Sequence, residues 1–187
     1  AVAELLAGDF SPAGRLPVTF YRSADQLPPF GDYSMRGRTY RYFTGEVLYP
    51  FGYGLSYTSF AYDKPRLSAR RIKADGSIDI SVRVTNTGGM AGDEVVQLYL
   101  SHPGVDGAPV RSLKGFKRIA LKRGQSETVT FTLDKAEFSI VDDKGVHRVV
   151  PGTVNVWIGG GQAIESERLN PAAGISTSFE ITSELLL

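Results

Sequence analysis

At 187 residues the chain is long enough to bury a core of its own, and 42% hydrophobic with 22% charged residues is the balance of an ordinary globular protein. Its 21 basic and 20 acidic side chains nearly cancel, which excludes a global field for nucleic acid or an anionic membrane surface. Without cysteine it has no disulfide framework, no thiol nucleophile and no thiolate metal site.

The opening AVAELLAG predicts a helix with Val2, Leu5 and Leu6 on one face and Gly8 as its stop. It lacks an N-cap, and it lacks the basic start and long apolar centre of a signal peptide. The helix therefore reads as the closing part of a larger unit. In SPAGRLPVTFY, Ser11 to Gly14 form a turn, and Leu16, Val18 and Phe20 alternate as a short strand. Pro17 places that strand at an edge. One helix and one strand cannot close a core, so residues 1–22 must pack on a neighbour. Residues 23–58 form a long connecting segment, with turn chemistry in LPPFGDY and YPFGYG. Eight of the chain's twenty aromatic residues lie in YRYFTGEVLYPFGYGLSYTSF, residues 40–60. That is too many for a solvated linker, so an ordered loop is expected.

From residue 59 the hydrophobic period becomes two. SIDISVRVTN sets Ile78, Ile80, Val82 and Val84 on one face and Asp79, Ser81, Arg83 and Thr85 on the other. DEVVQLYLS does the same with Val96, Leu98 and Leu100, SETVTFTL with Val129, Phe131 and Leu133, and GTVNVWIG with Val154, Val156 and Ile158. Turn signals separate them, among them Asp75-Gly76, Gly88-Gly89, Arg123-Gly124 and Pro151-Gly152. With further candidates near 60–68, 110–121 and 145–150, about seven strands fall within 59–161. This predicts a mainly β fold, a fibronectin type III- or immunoglobulin-like sandwich. The absence of a Cys…Trp…Cys pattern favours the fibronectin-like form. After the Gly159–Gly161 triplet, residues 162–187 form a tail with a last strand in GISTSFEITSELLL.

The chain offers little to catalysis. Asp142-Asp143 falls in a hairpin turn, and Asp93-Glu94 opens a strand, where neighbours face opposite ways and cannot share a substrate. His102 and His147 are isolated and lack the spacing of a metal site. No G-x-S-x-G elbow occurs, and the glycine triplet lacks the Gly-Lys-Ser/Thr that would hold phosphate. The basic clusters at Lys64 to Lys73 and Arg111 to Arg123 read as solvated strand faces. The expectation is no catalytic residue, no metal, no cofactor, no nucleic acid and no membrane.

GRLPVTFY, then DYSMRGRTYRYFTGEVLYPFGYGLSYTSF, then SVRVTNTGGMAGDEVVQLYLS resemble, in that order, the C-terminal part of glycoside hydrolase family 3. LKGFKRIALKRGQSETVTFTL and PGTVNVWIGG continue the resemblance, and SMRGRTYRYF is more similar to the β-xylosidase-type branch. The resemblance implies a retaining β-glucosidase or β-xylosidase whose nucleophile and acid/base lie in other domains. It makes residues 1–22 the end of an α/β sandwich domain, 23–58 the interdomain connection and 59–161 the fibronectin type III-like domain. The implied partners are the upstream catalytic domains, and the implied location is secreted or periplasmic. On this reading the chain is a noncatalytic scaffold, and Tyr33, Arg36 and Arg38 become candidates for the rim of a sugar site. The rival readings are a free-standing carbohydrate-binding module, with Trp157 facing outward to stack on an oligosaccharide or polysaccharide, and a protein-interaction sandwich. An aromatic loop bared of its partner is expected to promote self-association.

Overall fold

The computed structural model describes residues 2–142, 144–164, 168–169 and 171–187. Helix α1 (Val2–Ala7) forms where the sequence predicts it, and the Gly8 amide donates to the Leu5 carbonyl at 3.1 Å. None of its residues is buried, and Val2 and Leu6 are 73% and 76% exposed. The face assigned to packing is therefore open.

The strand expected over Leu16 to Phe20 does not form. Instead, the Leu16 amide donates to Tyr53 and its carbonyl accepts from Gly52, both at 2.8 Å, and Phe20 makes an isolated bridge with Tyr49. Pro17 has no amide hydrogen for a ladder, so pairing with the loop survives only on either side of it. The connecting segment holds one 3-10 turn (Ala24–Gln26) and the one-turn helix α2 (Thr39–Tyr42).

The remainder is mainly β. One sheet is built around β4 (Ile78–Asn86), which pairs with β7 (Ser126–Leu133) along one side and with β1 (Phe60–Tyr62) and β2 (Arg66–Leu67) along the other. The second sheet has the order β3-β11-β10-β5-β6. Its strands are β3 (Arg71–Ile72), β11 (Gly174–Ile181), β10 (Gly152–Gly159), β5 (Gly92–Ser101) and β6 (Ser112–Leu121). A small third sheet joins β12 (Leu185–Leu186), β9 (His147–Val149) and β8 (Ile140–Val141). The candidate strand near 60–68 is split into β1 and β2 around Pro65, which cannot donate to a ladder.

The alternation fixes what each strand buries. Ile78, Ile80, Val82 and Val84 lie in the core, opposite Leu133, Phe131 and Val129 of the antiparallel neighbour. Val154, Val156 and Ile158 close it from β10. Strand β5 departs from this pattern, because Val96 through Leu100 are all buried. Val96, Leu98 and Leu100 face the core as expected. Gln97 and Tyr99 point the other way and lie under the connecting segment. A short helix α3 (Lys135–Phe138) follows β7, its start fixed by a capping box between Asp134 and Glu137.

Candidate functional site

Strand β5 is where the N-terminal part of the chain meets the sandwich. Arg15 reaches across with its Nε donating to the Gly160 carbonyl at 2.8 Å and Nη2 to Glu94 Oε1 at 3.0 Å. The two side chains are only 11% and 5% exposed, so this is a buried ion pair. Burial raises the Glu94 pKa above its ordinary value, and Arg15 opposes the shift. The Tyr62 hydroxyl lies in the same dry pocket outside strict hydrogen-bond geometry, and burial together with the Glu94 charge raises its pKa.

Beside this pair, Gln97 Nε2 donates to the carbonyls of Gly52 (3.3 Å) and Gly160 (3.1 Å), and the Tyr99 hydroxyl donates to Gln97 Oε1. Gly52 has φ +77, and a Cβ there would lie 2.4 Å from Gln97 Oε1 and 2.8 Å from the Tyr99 hydroxyl. Only glycine fits that approach. Tyr40 stacks on Phe51 with ring centroids 4.1 Å apart and meets Tyr99 edge-on, while its hydroxyl accepts from the Leu113 amide at 3.2 Å. The Val110 amide donates to the Arg41 carbonyl at 2.7 Å. Residues 40–53 are thereby fastened to the sheet they precede.

The rim candidates fall elsewhere. Tyr33 is 89% exposed beside Phe30 and, with Arg38, lines a shallow hollow. Arg38 folds the turn it belongs to, donating to the carbonyls of Ser34 and Asp32. Arg36 is exposed and does not line that hollow. Trp157 lies between Tyr99 and Ser176 on the outer face of its sheet, as alternation predicts. It is half-buried, with Nε1 donating to the Gly161 carbonyl at 2.8 Å and its ring against Gly174. It shares no cavity with Tyr33, Arg36 or Arg38.

The remaining acidic residues hold structure. Asp93 pairs with Arg118 at 2.7 Å, and the Asp142 carboxylate accepts from the amides of Lys144 and Val146 in the hairpin. Asp143 lies outside the described residues. His147 is exposed, whereas His102 is buried, which lowers its pKa with help from Lys114. Among the described residues no three His, Asp or Glu side chains converge as metal ligands would.

Residues 1–57 match the Glycosyl hydrolase family 3 C-terminal domain, and residues 94–162 match the Fibronectin type III-like domain. The chain matches the C-terminal region of family 3 glycoside hydrolases. It is 42% identical over 161 residues to a xylan 1,4-beta-xylosidase of Xylanibacter ruminicola, an alignment of 85% of this chain and 18% of the relative. It is 40% identical to a periplasmic beta-glucosidase of Salmonella typhimurium, over 85% of this chain and 22% of that protein. The solved beta-glucosidase 3B of Thermotoga neapolitana superposes with a TM-score of 0.83 at 29% identity, covering all of this chain and 27% of that one. The chain thus spans about a fifth of the curated relatives' length.

The buried ion pair joins one matched region to the other, Arg15 coming from the first and Glu94 from the second. Sequence reasoning missed Arg15 and Gln97, took Glu94 only as the opening of a strand, and read Arg111, which is half-buried, as part of a solvated face. One signal was present: a glutamine and a tyrosine inside VVQLYL mark a strand covered on both faces, as near-continuous apolar runs do.

Proposed function

We propose that the chain is the noncatalytic, scaffolding part of a retaining β-glycosidase acting on β-glucosides or β-xylosides. The observation that carries this is the similarity over 85% of the chain to one protein named a xylosidase and another named a glucosidase, both several times longer. The proposal divides the chain at 22, 58 and 161, with the upstream catalytic domains as partners of residues 1–58. Tyr33, Arg36 and Arg38 then lie on the side turned toward those domains, as rim groups for the sugar. The relative named periplasmic supports a secreted or periplasmic location. The purified chain is expected to hydrolyse neither aryl β-glucoside nor aryl β-xyloside, whereas the same chain joined to its catalytic domains does. Turnover by the chain alone that disappears on replacing one of its own carboxylates would refute the reading.

A further inference from the structure

Arg111, just ahead of β6, stands between two adjoining cavities of about 580 Å³ each, and it lines both together with Ala163. Each is of the size that accepts a small organic ligand. Tyr40, Phe43, Thr19 and Gln162 wall the first. The second lies on the outer face of the five-stranded sheet, under Trp157, with Asn155, Ser176 and Ser178 around it.

The polar groups here are incomplete in a particular way. Gln162 is 4% exposed, and no donor among the described residues reaches its Oε1. The Thr19 hydroxyl is likewise buried without a partner. Of the five such side-chain atoms among the described residues, two line this one cavity. Buried polar atoms are normally paired, so two orphans on residues that wall one cavity point to a ligand that pairs them. Arg111 makes no ion pair with any described carboxylate; Glu46, which lines the same cavity, is held by Arg22. Burial lowers the Arg111 pKa, as expected for a cation with no anion beside it.

A fork-shaped cation fits a carboxylate, an orphan amide oxygen and a hydroxyl fit alcohol groups, and aromatic walls fit the apolar faces of sugar rings. We propose that this cleft binds a saccharide bearing a carboxylate, a uronic acid residue, with the carboxylate on Arg111 and ring hydroxyls on Gln162 and Thr19. A neighbouring ring then lies along Trp157. The cleft shares no lining residue with the Tyr33 hollow and requires no glycosidase activity of the whole protein, so this inference and the proposed function fail independently.

Trp157 is the only tryptophan, so its emission reports on the cleft alone. The 187-residue chain is titrated with methyl β-glucuronide, methyl β-glucoside and acetate, and calorimetry on the same samples detects binding that leaves the emission unchanged. The glucuronide should bind saturably, with the glucoside weaker by about tenfold or more and acetate inert, the margin a charged hydrogen bond supplies. Arg111→Gln should abolish that margin, and Arg111→Lys, which keeps charge without the fork, should fall between; circular dichroism checks that both are folded. Acetate binding as well as the glucuronide would mean a bare anion site and overturn the proposal. So would a glucoside that binds equally well, a preference that survives in folded Arg111→Gln, or no binding of any ligand to the folded chain.

Discussion

Arg15 and Glu94 are 79 positions apart and almost wholly dry, so each depends on the other. Removing one partner of a buried pair leaves a charge in a medium that cannot solvate it, a loss of about 3–5 kcal/mol. Arg15→Met should therefore destabilise the chain by that order in urea melts, with Glu94 and Gly160 losing their common partner. The pH dependence has a definite sign. The folded-state pKa of Glu94 is raised above its ordinary 4.5. Its protonated form thus favours the fold, and that contribution is complete below the unfolded pKa and lost as pH rises through the folded one. Arg15→Met removes the cation that opposes the shift, so its midpoint should fall more steeply than that of the parent as pH rises above the unfolded carboxylate range. Glu94→Gln should remove this component of the slope. An unchanged slope in Glu94→Gln would assign the titration to another group.

At the scale of elements, period two made β4, β7 and β10 legible, because each has one face in the core and one toward solvent. Phe131 and Val82 are buried as that reading requires, while Thr130 is exposed and shares a 2.8 Å hydrogen bond with Ser81. Phe131→Ala should cost about 3–5 kcal/mol and Val82→Ala less, since each leaves a cavity the sheets cannot fully close. Thr130→Ala should cost well under about 1 kcal/mol. Denaturant melts giving the reverse order would place the register one residue off. What the pattern hides is contact across the sequence. Leu16, Val18 and Phe20 alternate like a strand, yet Val18 is 52% exposed because pairing with Gly52 and Tyr53 stops at Pro17. The Arg111 cleft draws on residues near 19, 43, 111, 157 and 162, which only the strand order β10-β5-β6 and the returning loop bring together. No local spacing records that.

For the molecule as a whole, residues 23–58 divide into two kinds of surface. Residues 40–53 are held by Gln97, Tyr99 and the amides of Val110 and Leu113, so this half of the aromatic loop covers the sandwich and not an outside partner. The other half remains bare. Of nineteen exposed large hydrophobic side chains among the described residues, thirteen precede residue 59, with Phe30 at 98% and Tyr33 at 89%. Apolar surface so concentrated at one end marks an interaction face. Hydrogen exchange should therefore show the amides of Tyr49, Gly52 and Tyr53 protected within about tenfold of those in β4 and β7, while Val2–Ala7 and residues 27–36 exchange fast. Sedimentation of the chain alone should show association that rises with concentration and weakens in Phe30→Ser/Tyr33→Ser. Joining the upstream domains should slow exchange in Val2–Ala7 and 27–36 and leave 40–53 unchanged, because only the first two gain a neighbour. A monomeric chain that already protects residues 2–7 and 27–36 as strongly as its strands would show that these surfaces await no partner.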